Sequence, residues 1–236
     1  MPVLEGRDLV KHYDERAALD HVSFVVEAGE SVAIAGPNGA GKTTLLSMLA
    51  GVTTPDSGSV ELPGGKLGWV PQKAAVYQKL TVRENLELFA RLEKVEDVFG
   101  SATRMMDRIE LGHRASDRAE DLSGGMRQRL SIGMGLIADP AVLLLDEPSA
   151  ALDPLQRERL WELLGSLADS GIGIVFSTHS AGEVEGHADR VIILDGGRLL
   201  YDGAPATIGP GAHFELAFIN FLRARRAHVN VGGDAE

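Results

Sequence analysis

Residues 36–43, GPNGAGKT, constrain this chain more than any other part of it. They satisfy the pattern G-x-x-x-x-G-K-[ST], follow the apolar run SVAIA, and lead into residues 44–50, whose apolar spacing is helical. A strand that feeds a glycine-rich loop and then a helix is a phosphate cradle. Gly36, Gly39 and Gly41 let the loop, with Pro37, Asn38 and Ala40 between them, curl until successive backbone N–H groups converge on phosphate oxygens. The start of the following helix adds a positive field. Lys42 is placed to bridge the β and γ phosphates and the Thr43 hydroxyl to ligate Mg²⁺, with Thr44 next in the helix. The motif implies a nucleoside triphosphate and leaves open which machine uses it.

The rest of the chain reads as one domain over residues 1–228, followed by a flexible tail at 229–236. Short β-type runs occur at 3–10, 19–26 and 31–35, and again at 142–145, 173–177 and 190–194. Helical segments at 155–168 and 181–188 separate the later ones, which predicts an α/β core with a mostly parallel central sheet. Between them, residues 73–137 change character and read as an inserted helical subdomain, with TVRENLELFARL and SATRMMDRIEL as amphipathic pieces. Gly51 is expected to cap the helix after the phosphate loop, and Asp195-Gly196-Gly197-Arg198 to form a tight hairpin turn.

Charge and composition exclude several classes. With 34 acidic against 23 basic residues the formal charge is −11, which opposes the counterion release that drives nucleic-acid binding. No nucleic-acid partner is expected, and Arg223, Arg225 and Arg226 read as a solvated helix end. No cysteine is present, so disulfides and thiolate metal sites are out and a reducing compartment is compatible. The N-terminus lacks a basic start followed by an apolar stretch, and apolar runs such as 141–145 fall far short of the ~20 residues that span a bilayer. Neither a secretory signal nor direct membrane insertion is expected.

Three further motifs add chemistry. In LSGGMR, Ser123 stands where a helix N-cap belongs, making a second anion-attracting helix start. In AVLLLDEP, Asp146 and Glu147 end an apolar strand, where open α/β sheets place their ligand crevice. Asp146 suits holding Mg²⁺ through water, and Glu147 suits a general base that polarises the attacking water. The run GIVFST ends at His179, again at the carboxyl end of a strand and within reach of a γ-phosphate. The other histidines, 12, 21, 113, 187, 213 and 228, read as structural.

The order of these pieces, phosphate loop, WVPQ, LSGGMRQRL, LLLDEP, SAALD and STHS, resembles that of ATP-binding cassette (ABC) transporter ATPases over nearly the whole chain, from about residue 4 to 206. The resemblance implies a P-loop NTPase core with an antiparallel β subdomain at the N-terminus. It implies that Tyr13 stacks on adenine, that Gln72 contacts Mg²⁺ and reports to the membrane subunit, and that Asp153 lies in a loop crossing a dimer. Leu122, Ser123, Gly124, Gly125 and Met126 would be the signature motif, gripping the γ-phosphate of ATP held by a second copy of the chain or a homologous subunit. Transmembrane permease subunits would be the other partners, on the cytoplasmic face of the cell membrane, with ATP and Mg²⁺ as cofactors.

The sequence departs from the family pattern at Asp14, Met126 and Ala151, none of which removes a catalytic group, and the short span 58–72 suggests a trimmed outer hairpin. In texture the chain looks most like exporters of drugs, antibiotics or lipids. An importer ATPase and a soluble ABC protein acting on nucleic acid or ribosomes are the alternatives. A regulatory module without turnover conflicts with the presence of Glu147 and His179. Met105, Met106, Met126, Met134 and Trp161 read as core, and Phe214, Leu216, Ile219, Phe221 and Leu222 as the docking face of a last helix.

Overall fold

The computed structural model describes residues 1–209, 215–221 and 223 of the chain. Three strands, β1 (Pro2–Tyr13), β2 (Arg16–Glu27) and β4 (Ser57–Glu61), form an antiparallel sheet in the order β2-β1-β4. A six-stranded sheet is built from β5 (Leu67–Val70), β6 (Val142–Leu145), β7 (Gly173–Thr178), β3 (Ser31–Ala35), β8 (Arg190–Asp195) and β9 (Arg198–Gly203), in that spatial order. Its pairings are parallel except at the β8–β9 edge. The helices are α1 (Lys42–Leu49), α2 (Val82–Leu92), α3 (Val98–Arg108), α4 (Gly124–Leu136), α5 (Pro154–Asp169) and α6 (Ala181–His187).

The central strands β3, β6 and β7 are apolar along most of their length because both faces of their sheet are covered, with Ser31, Ser177 and Thr178 as the polar exceptions at their ends. Alternate side chains go to opposite cores. Val32, Ile34, Val142, Leu144 and Val175 pack with α1 and the antiparallel sheet, whereas Ala33, Ala35, Leu143, Leu145 and Phe176 pack with α2 to α6. Side chains of the inserted helices, Leu86, Met105, Met106 and Met134 among them, belong to the second core, which is why that subdomain is continuous with the sheet. Thr81, Asp97, Ser123, Asp153 and Ser180 each cap a helix by accepting a backbone N–H, a contact typically worth about 1 kcal/mol.

Two links tie the sheets together. Arg190 on β8 donates to Glu30, to Asp202 on β9 and to the carbonyl of Val25 on β2. The two-residue turn between β8 and β9, Gly196-Gly197, has positive φ at both positions (56° and 81°), the geometry that glycine supplies without strain. Its Gly197 N–H donates to Ala40 O in the phosphate loop at 3.0 Å, and its carbonyl accepts from Asp20 N on β2 at 2.9 Å.

Two expectations need correction. Residues 58–72 do not form a hairpin: β4 pairs with β1 in one sheet and β5 with β6 in the other, so this span crosses between layers. In the last helical segment, 215–221, Leu216 is exposed and the buried side chain is Phe218, while Phe221 meets Tyr201 edge-on. Helical rotation puts Phe218 and Phe221, three apart, on the face that docks. Phe214, Leu222, His213, His228, Arg225, Arg226 and the tail 229–236 lie outside the described residues.

Candidate functional site

The loop between β3 and α1 has the backbone its glycines require. Gly36, Gly39 and Gly41 have φ of 149°, 79° and 108°. A Cβ at Gly36 would stand 2.2 Å from Leu194 O, and one at Gly41 2.5 Å from Ala18 O, so any other residue would push the loop off the strands beneath it. Lys42 is buried, and its ammonium donates to Gly36 O at 2.8 Å and Pro37 O at 3.2 Å, curling the loop over its own side chain. That burial lowers the Lys42 pKa, with Glu147 and Asp146 pulling it partly back.

Six further side chains converge beside it, those of Thr43, Gln72, Asp146, Glu147, Ser177 and His179. Asp146, at the end of β6 and 4% exposed, accepts from Thr43 Oγ1 at 3.0 Å and from Ser177 Oγ at 2.6 Å. Ser177 also accepts the backbone N–H of Glu147 at 2.9 Å. Glu147 itself sits at φ 44°, a left-handed conformation that costs a non-glycine residue on the order of 1 kcal/mol. This twist turns its carboxylate toward Gln72, whose Nε2 donates to Oε2 at 3.0 Å, and toward His179, whose Nδ1 lies 3.5 Å from Oε1.

Tyr13, half exposed, lies at the mouth of the same cleft, which Asn38, Thr44 and Glu147 also line. It ends β1 and faces Arg16 across the two-residue turn Asp14-Glu15. Asp14 has φ 53°, a conformation aspartate tolerates better than most residues, so the turn survives where the family pattern has glycine. Arg16 reaches across to donate to Gly39 O at 2.9 Å, tying the hairpin tip to the phosphate loop.

The residues that resemble the signature motif are elsewhere. Ser123 caps α4, its Oγ accepting from Met126 N at 3.2 Å, and Leu122 is buried with its carbonyl taken by Arg127. Ser123, Gly125, Met126 and Asp153 line a second cleft that shares no residue with the first. Asp153 caps α5 by accepting from Gln156 N at 2.9 Å, and the Gln156 side chain lies against Gly125. Gly124 faces open space. One copy of the chain thus gathers Lys42, Thr43, Gln72, Asp146, Glu147 and His179, and keeps the Ser123–Asp153 pair apart from them.

Sequence reasoning passed over Arg16 and Ser177. Ser177 carried a signal, a hydroxyl inside an otherwise apolar strand one residue before Thr178. Arg16 carried none, because its role depends on which residue faces Tyr13 across the turn.

Comparison with known proteins identifies the family. The ABC transporter family model matches residues 19–150. A Nod factor export ATP-binding protein I from Burkholderia thailandensis is 38% identical over 224 residues, covering 87% of this chain and 72% of the relative. Its counterpart in Ralstonia nicotianae is 40% identical over 223 residues, covering 86% and 68%. A solved ATP binding subunit of an ABC transporter superposes with a TM-score of 0.82 at 29% identity, covering 93% of this chain and 99% of that one. The chain belongs to the ABC transporter family, as an ATP-binding subunit whose hydrolysis of ATP is coupled to transport.

Proposed function

We propose that this subunit powers export, and that it works as a head-to-tail pair of ATPase subunits beneath permease subunits at the cytoplasmic face of the membrane. The separation of the two clefts within one chain carries the pairing: the Ser123 helix start can serve a nucleotide only if that nucleotide is held by another copy. The export direction rests on the relatives named as export ATP-binding proteins. Among the described residues no helix is long and apolar enough to cross a membrane.

In this reading Tyr13 stacks on adenine, and the loop 36–43 with Lys42 and Thr44 holds the phosphates. The Thr43 hydroxyl and the Gln72 amide oxygen, with the Asp146 carboxylate acting through water, would suit Mg²⁺, a hard cation that keeps several waters and takes few protein ligands alongside phosphate. When bound, the ion neutralises charge on the β and γ oxygens. Glu147 accepts a proton from the attacking water as its oxygen bonds to the γ-phosphorus and the bond to the β-phosphate oxygen breaks, giving ADP and phosphate. Gln72 and His179 orient that carboxylate, and His179 faces the γ-phosphate. Ser123, Gly124 and Gly125 of the partner copy supply N–H groups to the same phosphate, and Asp153 lies in the loop between copies. Loss of phosphate removes the anion shared by two helix starts and the pair opens.

The native chain has no cysteine, so engineered thiols report cleanly. A protein carrying Asn38→Cys, Ser123→Cys and Glu147→Gln should cross-link between copies when ATP is added and remain monomeric without it. Cross-linking that is absent with ATP, or confined within one chain, would refute the head-to-tail arrangement.

A further inference from the structure

Behind Glu147 and His179 lies a buried carboxylate that the chemistry above does not use. Glu183, on α6, is 9% exposed. Its Oε1 accepts from the hydroxyl of Ser149, and its Oε2 accepts from Thr178 Oγ1 at 2.5 Å. Ser149 and Thr178 are themselves 4% and 3% exposed. Thr178 Oγ1 also accepts from Ser180 N at 3.0 Å, and Ser180 Oγ caps the helix that carries Glu183, so the network closes on itself.

Stability alone does not explain a carboxylate here, since burying charge is costly and apolar side chains of similar size serve a core at least as well. What the carboxylate supplies is a fixed relation between two backbone segments. Ser149 lies two residues after Glu147, on the way to Asp153; Thr178 lies immediately before His179. Each carboxylate oxygen therefore grips a residue within two positions of Glu147 or His179. In front of this clamp Glu147 and His179 stand 3.5 Å apart.

We propose that Glu183 is a positioning residue, which sets the separation of Glu147 and His179 through Ser149 and Thr178 and holds the segment leading to Asp153. This rests on the reading that Glu147 and His179 act at the γ-phosphate. Steady-state hydrolysis, equilibrium ATP binding and thermal stability of the full chain test it, using Glu183→Gln, Ser149→Ala and Ser149→Thr. The amide introduced by Glu183→Gln cannot accept both hydroxyl protons, Ser149→Ala deletes one donor, and Ser149→Thr keeps it.

The expected result is a kcat lower by about 10- to 100-fold in Glu183→Gln and Ser149→Ala, the range for small misplacements of reacting groups. ATP affinity should be unchanged, and Ser149→Thr should be restored to near wild-type turnover. The double variant should be no slower than the worse single one, because both cut the same linkage. Full turnover in Glu183→Gln and Ser149→Ala would overturn the proposal, as would a Ser149→Thr as slow as Ser149→Ala, or an ATP affinity that falls in step with kcat. Glu147→Gln run alongside separates two failures. If it is inactive while Glu183→Gln is fully active, only the positioning role falls; if it keeps full turnover, the reading of the site falls with it.

Discussion

The Gln72 amide donates to the Glu147 carboxylate at 3.0 Å, adding a side-chain link just beyond the backbone pairing of β5 with β6. Glu147→Gln keeps the shape of this contact and removes the proton acceptor. Its turnover should fall by two orders of magnitude or more, on the order of the loss when a general base is removed, while ATP still binds. Size-exclusion chromatography should then show an ATP-dependent dimer. Ordinary steady-state hydrolysis by this variant would remove Glu147 from the role of base.

Gly124 separates folding from pairing. It faces open space in a single copy, and it opens a helix whose N-terminal end favours negative charge. Gly124→Asp should leave the melting temperature equal or slightly raised and leave monomer ATP binding intact. Facing a partner's phosphate, the same carboxylate would repel, so ATP-dependent dimerisation and turnover should drop at least about tenfold. A variant with full turnover would show that no phosphate approaches this helix start.

Gly41 should behave in the opposite way. With φ at 108° and a would-be Cβ 2.5 Å from Ala18 O, Gly41→Ala strains the phosphate loop against β2. We expect a loss of about 1–3 kcal/mol in unfolding free energy, together with weaker ATP binding, measured by urea denaturation and fluorescent-nucleotide titration. Unaltered stability would mean the loop is free to move away from β2.

Lys42 gives ATP binding a pH dependence. Burial holds its pKa below the ordinary 10.5, whereas a bound phosphate favours the charged form and raises it. Between those two values ATP binding takes up a proton, so affinity should fall as pH rises through that window, earlier than an ordinary lysine would dictate. In the unliganded protein the sign reverses: the folded chain binds fewer protons than the unfolded one below 10.5, so this group makes the fold more stable as pH rises toward that value. Calorimetric titrations in buffers of different ionisation enthalpy read the proton uptake directly. Lys42→Ala should bind ATP weakly at every pH and show no such slope; an identical slope in the variant would assign the effect to another group.

Much of this molecule was legible in the order of its residues. Phosphate loop, capping serine and paired carboxylates announce themselves because each needs particular residue types a few positions apart. The strands β3 and β6 were readable to the residue, since both faces of their sheet are buried and the apolar runs stop where the sheet does. What was not legible depends on contacts between distant segments. The shortness of residues 58–72 suggests a trimmed hairpin, yet β4 and β5 pair in two different sheets. Glu183 looks like one more polar residue on a short helix until Ser149 and Thr178 are brought to it by folding. Phe218 sits among several equally apolar neighbours, and only helix rotation selects it.

The glycine turn at 196–197 has a practical consequence for anyone shortening this chain. A fragment ending at Asp195 would retain all the sequence hallmarks of an ATPase, from Gly36 through His179, yet it would lack the N–H that supports Ala40 from below. Such a truncation would pass any motif search and still grip nucleotide poorly, because one backbone anchor of the phosphate loop comes from a residue after the last recognisable signature.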